Sequence, residues 1–277
     1  MSSTRLGSYV KRLTGQRKIG HLGTLDPAAS GVLVLALGEA TKLIPYYTSC
    51  KKVYEFFLNF GERRHTGDGE GNVVETCSKR PSAQDIQGIL PKFLGPQVQT
   101  PPAYSAVWVN GRRAYEIARN NEVVVLPTRT IHIHSLTLLE TEGGLFKLCV
   151  SCSPGTYVRS LGQDLAQALG ALAYVSHIRR VVDGKFSLDH TISLEKLEEM
   201  GHTLGVHRLI KPLGFVLDDI PAVTVWGEDV HRLRKGQSVA VFNVPNTSSV
   251  RLETEGVLFG MGYVADGFLF PKRILTL

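Results

Sequence analysis

Long apolar runs are missing from this chain of 277 residues. The longest, Val32 to Leu37, is six residues, against the roughly 20 that a membrane-spanning helix needs, so no membrane partner is expected. The basic opening segment has no apolar stretch behind it of the kind that marks a secretory signal, and a cytoplasmic protein is the expectation. Cysteine is scarce too. Four cysteines cannot staple a chain of this length. Cys149 and Cys152 form a C-x-x-C, but a zinc ribbon needs a second such pair, and Cys50 and Cys77 stand 27 residues apart. The alternating stretch LFKLCVSC reads as a strand, which would send residues three apart to opposite faces. The cysteines are therefore read as structural or incidental.

Also lacking are a Walker loop, a convincing GxGxxG and a cluster of metal ligands. His132 and His134 sit two apart on a predicted strand with no third ligand evident, so surface or hydrogen-bonded histidines are the expectation. Neither a metal nor another cofactor is expected.

Negative charge is absent before Asp26. Residues 1–64 hold ten Lys and Arg against four Asp and Glu, so they carry the whole net charge of +6, while the rest of the chain balances. Within the opening stretch Leu6, Val10 and Leu13 recur at helical spacing among basic residues. The pattern predicts a helix with one apolar and one basic face, suited either to a polyanion or simply to solvent.

Several segments declare their structure. The run VLVLAL (residues 32–37) reads as a buried strand, and KKVYEFFLNFG as another with Tyr54, Phe56, Leu58 and Phe60 on one face. Ser82 is placed to cap a short helix ending before Pro91. Asn110-Gly111 signals a tight turn and AYEIAR a short helix. VVVL, TIHIHSLTLLE and GLFKLCVSC read as strands, and SPGTYVRSLGQDLAQALG as a strand end entering a helix with Leu161, Leu165 and Leu169 on one face. Past KPLGFVLDDIP, five short strand candidates with turns between them predict a small β-rich module. Strands and helices interleave without steady βα alternation, which favours an α+β fold.

Asp26 is the carboxylate to watch. It lies in GHLGTLDPAASG, beside Pro27 and among glycines that let a ligand approach the backbone, although an Asp-Pro in such a loop is by itself more often a turn. The wider string GHLGTLDPAASGVLVLALGEATKL resembles the catalytic motif of the TruB family, the bacterial tRNA pseudouridine-55 synthases. The resemblance continues in order through KKVYEFFLNFG, PPAYSAVWVNGRRAYEIAR, CSPGTYVRSLGQDL with HIRR behind it, and GVLFGMGYVADGFLFPKRIL, spanning nearly the whole chain.

It implies a pseudouridine synthase fold, with a central mixed, largely antiparallel sheet in a catalytic domain over residues 1–217 and a PUA-like RNA-binding module over 218–277. It implies a cofactor-free isomerisation of the T-arm uridine of tRNA, with Asp26 as the essential carboxylate, Arg159 as its ion-pair partner, and Tyr54 under the target base as the candidate for C5 deprotonation. Packing on a strand face would equally explain Tyr54, and an exposed position at a helix start Arg159. That start is an unfavourable place for a cation, which a buried Asp26 would offset.

His21, Tyr157 and Ile178 fall on substrate-contacting positions. Arg112 and Arg113 fall on phosphate contacts of a thumb segment, about residues 104–129, where a solvated hairpin is the plainer alternative. Lys272 and Arg273 suit a backbone contact in the C-terminal module. A monomer that binds the T-arm is expected. Trp108 and Pro154 stand where the family often has lysine, which weakens or redistributes RNA contacts. Family members also begin with a strand and a K-P-x-G segment ahead of the residues that MSST matches; that strand is either encoded upstream of Met1 or absent. An RNA-folding protein without catalysis and a synthase for another RNA are the competing functions.

Overall fold

A computed structural model describes residues 1–47, 51–142, 144–200 and 206–276; Cys50 lies outside the described residues. The chain divides into two compact units, one formed by residues 1–3, 24–34 and 49–191, the other by residues 4–23, 35–48 and 192–277.

The first unit is built on a seven-stranded sheet. Its strands are β1 (Ser30–Gly31), β2 (Lys52–Phe60), β3 (Gly95–Gln99), β4 (Arg129–Glu142), β5 (Leu145–Cys152), β6 (Ala173–Asp183) and β7 (Phe186–Ser187). They lie in the order β7-β6-β2-β5-β4-β3, all antiparallel, while β1 pairs in parallel with β6. The expected mixed, largely antiparallel sheet is thus present. Strict alternation on β2 sends Tyr54, Phe56, Leu58 and Phe60 into the core, as their spacing predicted.

Against this face lie two helices, Ala83–Ile89 and Val158–Ala168. The first opens on Ser82, whose hydroxyl accepts from the Asp85 amide while Asp85 accepts from the Ser82 amide, a reciprocal cap. The second, formed by the segment that follows GTY in GTYVRSLGQDL, buries Leu161 and Leu165. Gly162 allows its close approach to the sheet, because a Cβ there would stand 2.3 Å from Val175 Cγ2. The geometry matters because this helix carries Arg159.

The helix Ser3–Thr14, which belongs to the second unit from Thr4 on, turns Val10 and Leu13 toward Leu197 and leaves Arg5, Lys11 and Arg12 exposed, matching the two-faced pattern. A five-stranded C-terminal sheet comprises β8 (Ala222–Thr224), β9 (Val239–Ala240), β10 (Thr247–Thr254), β11 (Val257–Ala265) and β12 (Phe268–Ile274), in the order β8-β10-β11-β12-β9. It closes on its own core of Val223, Leu233, Val250, Leu252, Phe259 and Leu269. A second cluster joins Leu258, Met261 and Leu275 to Leu43 and Leu217.

Two strand expectations are overturned. VLVLAL is not one strand: Gly31 just ahead of it pairs with β6, whereas Leu35–Leu37 pairs with Ile19–His21, so the run passes between two sheets. VVVL (residues 123–126) is irregular, with Val123 91% and Val125 81% exposed. β-Branched composition alone did not supply a partner strand there. Among the described residues no helix is long and apolar enough to cross a membrane.

Candidate active site

The loop carrying Asp26 is held at both ends. Ahead of it, the buried Ser3 hydroxyl donates to the Leu25 carbonyl at 3.0 Å and accepts from the Leu25 amide at 2.9 Å. Behind Asp26 the chain turns, with the Ala29 amide donating to the Asp26 carbonyl at 2.9 Å, and then joins the sheet as β1. Gly31 is required there. Its φ is +96°, and a Cβ would lie 2.1 Å from the Arg180 carbonyl oxygen. One residue on, the Val32 amide donates to that same carbonyl at 2.8 Å.

Arg159, on the first turn of the helix Val158–Ala168, meets this loop. Its Nη2 donates to Asp26 Oδ1 at 3.1 Å, and its Nε stands 2.8 Å from Asp26 Oδ2, so the guanidinium edge faces both carboxylate oxygens. Its remaining donors reach the carbonyls of Thr66 at 3.0 Å and Tyr104 at 3.1 Å. Burial is opposite to the sequence expectation: the Arg159 side chain is 5% exposed, whereas Asp26 is 36% exposed. The cation is the sealed partner, and the carboxylate keeps an open side toward solvent.

A second carboxylate was not singled out from the sequence. Asp68 Oδ2 lies 3.6 Å from Arg159 Nη1, and Asp68 is nearly buried. Thr66 Oγ1 and the Glu70 amide donate to its other oxygen at 2.6 and 3.1 Å. Its position in the polar loop HTGDGEGN resembles any turn, and only the spacing of three glycines around it hinted at a constrained loop. Arg159 therefore sits between one fixed and one accessible carboxylate.

Tyr54 lies in the sheet behind the Asp26 loop, 9% exposed. Its hydroxyl accepts a hydrogen bond from Arg180. Its phenol is raised to about 12, chiefly by burial; the neighbouring Arg180 cation opposes the rise, and Cys152 and Asp183 add to it. Because Arg180 also holds Gly31 and Val32 through its backbone, it links Tyr54 to the segment that carries Asp26.

Ile178 is buried at a break in the pairing of β6 with β2, between Ser176 and Arg179, the kind of irregularity that re-aims side chains beside active sites. Tyr157 precedes the Arg159 helix; its amide donates to Gln99 Oε1 at 2.8 Å, and the Arg129 guanidinium lies 5.2 Å from its ring centre. His21 is half-buried on the strand Ile19–His21 of the second unit. In the hairpin Trp108–Arg113, whose turn is at Asn110-Gly111, Arg112 pairs with Glu122 at 3.0 Å. Arg113 donates to the Ala106 carbonyl and stacks 4.1 Å over Trp108, so Trp108 takes part in the hairpin's own packing. Lys272 donates to the Ser248 carbonyl at 2.9 Å and Arg273 to the Lys272 carbonyl at 3.3 Å; both are exposed. His132 and His134 are exposed neighbours with ring centres 4.6 Å apart.

Residues 11–158 match the TruB family pseudouridylate synthase N-terminal domain, and residues 221–275 match the C-terminal domain of pseudouridine synthase II TruB. The chain is 40% identical over 286 residues to tRNA pseudouridine synthase B of Rhodopseudomonas palustris, covering all of this chain and 78% of that one. It is 38% identical over 289 residues to the protein of the same name from Rhodospirillum rubrum, covering all of this chain and 93% of that one. Two solved structures share the fold. An H/ACA RNP bound to a substrate RNA containing 2'-deoxyuridine gives a TM-score of 0.73 at 21% identity, over 100% of this chain and 82% of that one. A Cbf5-Nop10-Gar1 complex gives 0.71 at 23% identity, over 100% and 80%. The two domain matches, in order along one chain, and full-length identity near two-fifths place the protein: it belongs to the TruB family of pseudouridylate synthases.

Proposed function

We propose that this chain converts the T-arm uridine of tRNA, position 55, to pseudouridine, with Asp26 as the reacting carboxylate. The observation that carries the assignment is the partly exposed Asp26 carboxylate held edge-on by a sealed Arg159. A carboxylate held edge-on and open on one side serves as nucleophile on the base or sugar or as base toward a ribose proton. Every route needs its negative charge.

In the reaction the N1–C1′ bond breaks, the uracil turns, and its C5 joins C1′. Tyr54, as phenolate, takes the C5 proton; the C5–H electron pair restores the C5=C6 double bond, and the phenol later returns that proton to solvent. N1 gains a proton from solvent, so substrate and product are isomers and no redox partner enters. The target uridine leaves its stack first, which costs a few kcal/mol and less in a loop contact. Tyr157, Ile178 and His21 contact the extruded nucleotide and the RNA around it. Arg112 and Arg113 in the thumb, and Lys272 and Arg273 in the module of residues 218–277, contact the phosphate backbone. The enzyme acts as a cytoplasmic monomer.

The test is tritium release from T-arm RNA containing 5-tritiated uridine, with RNA Kd measured on the same preparations of wild type and Asp26→Asn. Wild type should release tritium and the variant fall below detection, with little change in affinity, because the basic contacts remain. Retained turnover in the variant would remove Asp26 from the mechanism. An inactive wild type that still binds RNA would support an RNA-folding role instead.

A further inference from the structure

Arg180 is 1% exposed, and Asp183, three residues along β6, is 0% exposed. Neither has a part in the reaction as assigned. Withdrawing a guanidinium from water costs several kcal/mol unless it is paired and hydrogen-bonded, so its contacts are informative. They run to two places the reaction uses. Arg180 Nε donates to the Val32 carbonyl at 2.8 Å, and the Arg180 carbonyl accepts from the Val32 amide, so both its side chain and its backbone fix the chain that leaves the Asp26 loop. The guanidinium also donates to the Tyr54 hydroxyl. Asp183 Oδ2 lies 3.4 Å from Arg180 Nε, and Asp183 Oδ1 accepts from Lys52 Nζ at 2.5 Å.

We propose that Arg180, held by Asp183, is a positioning residue of the isomerisation that fixes Tyr54 and the Asp26 loop in one frame and leaves the side of the Tyr54 oxygen away from the guanidinium free to take the C5 proton of the target base. A guanidinium has five donors and no acceptor, so the Tyr54 oxygen must accept, and its own proton points elsewhere. A planar fork can hold the Val32 carbonyl and the phenol oxygen together; an ammonium on a flexible stem cannot reproduce that pair of directions. The cation also eases ionisation of the phenol, and Asp183 partly offsets it. The groups facing Tyr54 are Arg180 and Asp183 on β6 and Cys152 on β5, with Lys52 on its own strand acting through Asp183. The inference rests on the role proposed above for Tyr54.

To test it, a difluorinated tyrosine is placed at position 54 of the full chain and its ionisation followed by fluorine NMR in Arg180→Gln, Arg180→Lys and Asp183→Asn. Single-turnover tritium release and RNA affinity are measured alongside. The ionisation midpoint should be highest in Arg180→Gln, lowest in Asp183→Asn, and in Arg180→Lys close to that of the unsubstituted protein. Release should slow by about tenfold or more in both Arg180 variants, with RNA affinity within about twofold. A merely structural role would not order the midpoints by charge. Midpoints that stay put or all move one way, or full-rate release in Arg180→Lys, would overturn the proposal. Any two variants that fold still rank against the parent. Full turnover in Tyr54→Phe would instead remove the phenol from the proposed function, and the midpoint order reads the Arg180 clamp independently of that outcome.

Discussion

Two ionic clusters in the first unit use the same chemistry to different ends. In one, a buried Arg159 holds Asp26, whose carboxylate is 36% exposed, with Asp68 behind it. In the other, Arg180 and Asp183 are both sealed, Lys52 is nearly so, and the group they serve, Tyr54, is buried as well. An ion pair that faces solvent on its carboxylate side can give that carboxylate to a ligand. A sealed one cannot, and its charge acts only on what it touches: a phenol and the backbone of one loop. In the proposed reaction, the exposed side of each pair, more than its strength, separates the reacting group from the positioning one.

This contrast can be broken from the open cluster first. Arg159→Ala removes the cation beside Asp26 and strands Asp68 near a cavity. Turnover should fall by about 100-fold or more, as for a misplaced reacting group, and Arg159→Lys should recover only part of it. Full activity in the alanine variant would mean that the partner is misassigned. The sealed cluster is tested by alkaline stability. The unfolded phenol ionises at 10.0, the folded one at about 12. Between those values the unfolded chain has released a proton that the folded one retains, so stability is whole below the window and falls as pH rises through it. The loss attributable to Tyr54 is at most about 3 kcal/mol, and denaturant titrations should show it absent from Tyr54→Phe.

Smaller effects sharpen the picture. Asp68→Asn keeps the loop's shape but weakens the back support of Arg159, so kcat should fall about tenfold with KM little changed; a change confined to KM would place Asp68 in RNA binding. Replacing Lys272 and Arg273 together by alanine should raise KM by about threefold and flatten the salt dependence of binding, with kcat unaffected. Point substitution is the cleaner probe of the module, because deleting residues 218–277 would also strip Leu43 and Leu217 of their packing partners Leu258, Met261 and Leu275.

Legibility followed the range of the interaction. The alternation of Tyr54, Phe56, Leu58 and Phe60, the cap at Ser82 and the turn at Asn110-Gly111 are local, and each stands in the structure where its spacing placed it. The run VLVLAL misled because hydrophobicity records burial and not the partner strand: the residues just ahead of it join one sheet and its last three another. Asp26 and Arg159 were visible through family motifs, and the structure brings them into contact. Asp68, Ser3 and Asp183 were not visible, and Arg180 stood in HIRR without a role. Each contributes through a partner far along the chain, as Ser3 does at Leu25 and Arg180 at Val32, and nothing in the neighbouring residues distinguishes a carboxylate in a turn from one that backs an arginine.

The most direct measurement is a crystal structure of Asp26→Asn bound to T-arm RNA, the variant being expected to bind without turning over. One uridine should be drawn out of its stack, its sugar and base edge against the side chain at position 26 within about 3–3.5 Å, and its ring over Tyr54 with the Arg180 contact intact. A bound RNA whose uridines all lie away from position 26, or an extruded uridine seated where Tyr54 cannot reach it, would contradict the division of work between the open and the sealed cluster.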